Sequence, residues 1–231
     1  MDARSTRTGV IAVIVVALLA VGAARVARSP GAVKVVGPPD TARITDETRA
    51  AASRFAAGVA PSDRAWIEAA MASARPEAQP LIALVDGMVE WRTVPGGDDY
   101  RDPLGVTMPR LHPDGTASFV IELNVGQLDG RRVQDRDAVV LHELGHVVDL
   151  AIVPQALDDQ LDAMIPRTGA CSELDGVRRG SCTEPMERFA DTFAKWALRG
   201  AMSQVGAGYD IALPPSLEDW GAPLIPLAAA G

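Results

Sequence analysis

The pattern of apolar and polar positions divides the chain into a modest set of elements. Residues 8–24, between Arg7 and Arg25, form an uncharged, strongly apolar run behind a basic flank. Residues 25–44 follow with linker composition, Pro30, Gly31, Gly37, Pro38 and Pro39 breaking any regular element. The Ala-rich stretch 46–59 predicts a helix begun by Thr45 or Asp46, and Pro61-Ser62-Asp63 opens a second running to about Ala74. The apolar stretch Leu81 to Met88 fits helix or strand by period alone. Val89 to Val94, β-branched and aromatic, reads as a strand.

After a loop at 96–103, two strands are predicted at 105–111 and 117–124, around the turn sequence His112-Pro113-Asp114-Gly115. Pro109 has no N–H to give to a ladder, so it confines the first strand to an edge or a bulge. Helices are predicted from Asp137 to about Ile152 and from Glu184 to Leu198. The Gly/Pro-rich tail 203–231 carries isolated apolar anchors, Tyr209, Ile211, Trp220 and Leu224, and is expected to wrap the domain surface. This order predicts an α+β fold with a short mixed or antiparallel sheet. The division is an N-terminal signal or transmembrane anchor at 1–24, a linker at 25–44 and one domain at 45–231.

The N-terminal run resembles an export segment, with a basic n-region and an apolar h-region. Val21-Gly22-Ala23 offers a cleavage site. The length of the run, and Arg25 and Arg28 directly after it, favour an uncleaved anchor instead. Either way the domain is expected outside the cytoplasm, membrane-tethered or secreted. In that setting the chain's two cysteines, Cys171 and Cys182, predict a disulfide. The formal net charge is −8 although Arg4, Arg7, Arg25 and Arg28 all lie near the N-terminus, so the folded part is more acidic still. Such a balance argues against a nucleic-acid partner, which needs a basic face. A peptide or protein substrate is the expected partner.

Candidate chemistry lies in His142-Glu143-Leu144-Gly145-His146, which holds two of the chain's three histidines. Four residues apart on a helix, His142 and His146 stand one turn above each other and can present both imidazoles to one ion. Glu143 is turned about a quarter of the way round and can reach a water on that ion without ligating it. The flanks, including Val139, Val140, Leu141, Leu144, Val147 and Val148, are those of a buried helix. Two imidazoles and a carboxylate buried there without partners would cost several kcal/mol. Gly145 is costly in a helix interior and makes sense where another backbone comes close.

A catalytic zinc usually takes three protein ligands. Ile152, six residues after the second histidine, cannot serve. Downstream, Glu187 and Asp191 stand four apart, and Glu184, Arg188, Asp191 and Lys195 form a charged stripe that could equally be a solvated face. His-Glu-x-x-His followed by Glu-x-x-x-Asp is similar to the gluzincin metallopeptidases, in a reduced single-domain form. The resemblance covers the two helices and, more loosely, the strand before them. It implies a zincin-like fold, one Zn2+ per chain held by His142, His146 and Glu187, and Asp191 hydrogen-bonding a ligand histidine. Glu184 is the alternative ligand. The large members' downstream catalytic histidine has no counterpart, since no histidine follows His146.

The resemblance therefore implies a zinc-dependent peptidase, an endopeptidase by expectation, that hydrolyses peptide bonds with a zinc-activated water and Glu143 as general base. His112, Tyr209 and Tyr100 are candidate oxyanion donors. Strand 117–124 is expected to be the edge on which an extended peptide pairs. The alternative reading is a metal-binding extracytoplasmic interaction domain without turnover.

Overall fold

The computed structural model describes residues 55–96, 103–113, 116–128, 136–167, 171–174, 177–200 and 209–230. Contacts divide the chain into two units, Met1–Gly37 and Pro38–Gly231, and every described residue belongs to the second. The expected anchor and the linker lie outside the described residues, as does most of the helix expected at 46–59. The part of that helix that is described is not helical. Phe55 instead forms a parallel bridge with Trp91, and the two rings stack with centroids 6.5 Å apart.

Helix α1 runs from Pro61 to Ser73 with proline in its first turn, where the missing N–H costs nothing. Its last carbonyls are closed by the Gln79 side chain, whose Nε2 donates to Met71 O at 3.0 Å and Ala74 O at 2.9 Å. Gln79 also begins α2, Gln79–Asp86. This helix resolves the ambiguous apolar stretch, because Leu81, Ile82 and Val85 fall on one buried face at helical spacing.

Strands β1 (Val89–Val94), β2 (Gly105–Leu111) and β3 (Ala117–Asn124) form a mixed sheet in the order β1-β3-β2. β1 lies parallel to β3, and β2 antiparallel to it. β3 is therefore the central strand, paired on both sides. It cannot be the free edge expected of 117–124; among the described residues β2 takes that place. Phe119, Ile121 and Leu123 alternate towards the helices as a covered strand requires.

The hydrogen bonds from His112 N to Thr116 O and from Asn124 N to Leu104 O set the register of the β2–β3 ladder. Even-numbered residues of β2 bond to β3. The backbone groups of Gly105, Thr107, Pro109 and Leu111 point to the free edge. Pro109 thus sits where its lost N–H breaks no bond in the sheet.

Helix α3 (Arg136–Ala151) is buried without a break from Ala138 to Asp149 and packs on β2, α1, α2 and the next long helix. The amphipathic α4 (Gln155–Met164) was not foreseen, although Leu157, Leu161 and Met164 recur at helical spacing after Pro154. A small hairpin follows, β4 (Ser172–Leu174) with β5 (Val177–Arg179), its ends clamped by the Cys171–Cys182 disulfide. Helix α5 (Pro185–Ala197) packs along α3.

The tail does more than wrap the surface. Its helix α6 (Leu217–Gly221), capped by Ser216 accepting from Asp219 N at 3.0 Å, puts Trp220 wholly inside the core. The short α7 (Leu227–Ala230) ends the described chain. Among the described residues no helix is long and apolar enough to cross a membrane. The disulfide points to an oxidising, extracytoplasmic compartment.

Candidate metal centre

Two helices supply the site. α3 presents His142 and His146 one turn apart, their rings edge to face with centroids 4.8 Å apart. α5 presents Glu187 in its first turn. Ala190 on α5 can approach α3 because Gly145 leaves no side chain between the two backbones. Glu187 Oε2 lies 3.1 Å from His142 Nε2 and 3.5 Å from His146 Nε2. One ligand atom from each of the three lies within 4.8 Å of the others. Ligand atoms about 2.1 Å from an ion at tetrahedral angles stand about 3.4 Å apart, so the two histidine–carboxylate spacings suit a shared metal.

Electrostatics couple the same residues to one another. Burial opposes charge on His146, but the Glu187 carboxylate, helped by Glu143 and Asp149, outweighs it and raises the imidazole to about 9. Burial likewise resists charge on Glu187, yet the two histidines hold its carboxyl well below the ordinary range. Without an ion the trio holds itself together by such pairing. Both Nε2 atoms face the carboxylate, while His142 Nδ1 and His146 Nδ1 are buried and have no hydrogen-bond partner among the described residues. Two imidazoles and a carboxylate can hold a divalent transition metal, and the residues present fit one.

Glu143 lies beside this group, buried. Its Oε2 accepts from Thr107 Oγ1 at 2.7 Å, and its main-chain oxygen lies 3.1 Å from the same hydroxyl. A hydroxyl has one proton, and the shorter contact takes it. Gly105 makes room for the carboxylate, since a Cβ there would stand 2.5 Å from Glu143 Oε1. Thus the free edge of β2 runs directly past Glu143. Thr107 was not singled out from sequence, and only its position two residues along a strand of unknown placement could have pointed to it.

Of the candidate oxyanion donors, the structure brings Tyr209 to the cluster. Its ring stacks on His142, centroids 5.9 Å apart and planes 30° apart, with its hydroxyl near the Glu187 carboxylate. Burial, and then the Glu187 and Glu143 carboxylates, push its phenol well above the usual range, so it stays a protonated donor. His112 is not brought there. It is exposed at the opposite end of β2, five residues or about 17 Å of strand beyond Thr107, with its Nε2 on Ser118 Oγ at 2.8 Å. Tyr100 lies outside the described residues.

Asp191 departs from the pattern that the resemblance implies. It is fully buried but bonds neither histidine. Its Oδ2 lies 2.5 Å from Lys195 Nζ, an ionic contact off the hydrogen-bond direction. The cation four residues along the same helix claims the carboxylate. The charged stripe is no solvated face, for Arg188, Asp191 and Lys195 are all buried. Only Glu184, the alternative ligand, is exposed, and it pairs with Arg178 at 3.4 Å.

No protein-family model, curated protein or solved structure matches this chain.

Proposed function

We propose that this chain is a zinc-dependent peptidase of reduced gluzincin type, acting outside the cytoplasm on peptide or protein substrates. The observation that carries the reading is Glu143, buried beside a His142–His146–Glu187 cluster and under the free edge of a strand. A structural metal site needs no such carboxylate, held in place but outside the ligand set.

His142, His146 and Glu187 would hold the ion. Zinc there would acidify a water and polarise a carbonyl. Glu143, oriented by the Thr107 hydroxyl, takes the proton of the attacking water and returns it to the leaving amine. Tyr209, protonated and half-buried against His142, is placed to donate to the carbonyl oxygen as negative charge develops on it. An extended peptide would pair with β2 rather than β3, through the outward backbone groups of Gly105 and Thr107. A zincin-like fold accords with the mixed sheet packing on the histidine-bearing helix α3, which in turn packs along α5.

The test uses the full chain, purified and loaded with zinc, beside Glu143→Gln and Glu187→Ala. The reading expects near one zinc per chain, retained in the first variant and reduced or lost in the second. It also expects cleavage of a peptide library by the wild type alone. Zinc binding without any turnover that Glu143→Gln lacks would leave a metal-binding domain and defeat the peptidase reading.

A further inference from the structure

We propose that Asp191 and Lys195 form a clip that fixes Tyr209 over the metal ligands, acting on the strap 209–211 rather than on a ligand histidine. The inference rests on the role given to Tyr209 above. Lys195 is buried at the end of α5 and has two partners. One is Asp191 at 2.5 Å, and the other is the carbonyl of Ile211, to which Nζ donates at 2.7 Å. Ile211 is itself buried, two residues beyond Tyr209.

The strap has a second pin. Tyr209 O accepts from Gly180 N at 2.5 Å, and Gly180 opens the tight turn ending at Cys182, whose disulfide anchors that turn. Between the pins Asp210 takes φ of +54°, a left-handed conformation uncommon outside glycine, asparagine and aspartate. With the main chain held at the carbonyls of Tyr209 and Ile211, the Tyr209 ring is kept stacked on His142.

This assigns work to a buried ion pair that the site does not otherwise need. An Asp–Lys pair taken wholly out of water rarely stabilises a fold by itself, because desolvation offsets the attraction. Here the neutralised lysine can spend a further N–H on a carbonyl that no side chain of the strap could hold. Lys195 and Asp191 are thus positioning residues, reaching the chemistry only through Tyr209.

The experiment measures nitration of Tyr209 by tetranitromethane in the full-length protein, located by mass spectrometry of its peptides. Zinc stoichiometry and peptide hydrolysis are followed in parallel. Lys195→Met alone strands the Asp191 charge and could unfold the protein. The double variant Asp191→Asn with Lys195→Met removes both charges and nearly keeps the volume, and its fold is checked by circular dichroism.

In the wild type Tyr209 should resist nitration. In the folded double variant nitration should rise several-fold, with zinc still bound and kcat lowered about tenfold or more at little change in KM. Lys195→Arg, which keeps charge and donors, should restore both. A folded double variant in which Tyr209 stays as protected as in the wild type overturns the clip. Absence of zinc from the wild type would instead defeat the peptidase reading, and the nitration result would still decide the clip.

Discussion

Gly145 on α3 faces Ala190 on α5 so closely that a Cβ built on the glycine would lie 2.9 Å from the Ala190 Cα and 3.1 Å from its carbonyl oxygen. Both neighbours are backbone, which cannot swing aside. Gly145→Ala gains about 1 kcal/mol of helix propensity. Forcing two packed helices apart costs about 1–3 kcal/mol or more. The variant should therefore be less stable in urea despite its better helix former. It should also bind zinc more weakly, because Glu187 retreats with α5 from the histidines.

Thr107→Val removes the hydroxyl that orients Glu143 and keeps the shape. Zinc content should be unchanged, while peptide hydrolysis falls about 10–100-fold. A proportional loss of zinc would mean that Thr107 supports the ligands and not the base.

Asp86 accepts from Trp91 Nε1 at 2.9 Å, and burial pushes its carboxyl up, the indole only partly opposing the shift. The folded state therefore binds this proton more tightly than the unfolded chain does. Asp86 costs stability as pH rises from the ordinary carboxyl range, about 4, through its raised value, and the cost persists above it. Asp86→Asn, which keeps an acceptor for Trp91, should raise the thermal midpoint at neutral pH relative to wild type. That advantage should vanish below about pH 4.

Replacing Cys171 and Cys182 by serine opens a loop of sequence separation 11. The unfolded chain then regains entropy worth about 2.5–3 kcal/mol. Denaturant titration should show a loss of that order. Because the disulfide anchors the turn that holds Tyr209 O, nitration of Tyr209 should increase as well.

Local rules read most of this structure from the sequence. His142, Glu143 and His146 follow from helical spacing alone, and the two β-strands at 105–111 and 117–124 from turn residues and β-branched content. Gly145 was expected to meet another backbone, and it does. The resemblance supplied Glu187, which the fold brings to the histidines although it lies 41 positions beyond His146. Tertiary pairing decided the remainder. Which strand became the edge depends on β1 joining β3 in parallel, a choice no local signal carries. Asp191 went to Lys195 because both are buried together, whereas their alternating charges alone suggested a wet surface. Thr107 and the Gly180–Tyr209 contact are long-range meetings of residues with no motif of their own.

The open side of β2 has a consequence for the protein when it is concentrated. An unpaired strand edge will accept any extended chain, including the β2 of a second copy, and repeated pairing of that kind leads to aggregation. Pro109 offers a carbonyl but no N–H at the middle of that edge, so a continuous ladder between copies is interrupted there, while Gly105 and Thr107 keep theirs. Leu111, 82% exposed at the end of the strand, is the stretch that Pro109 separates from the site. Replacing this proline would lengthen the receptive edge and, by the same change, remove its guard against self-association.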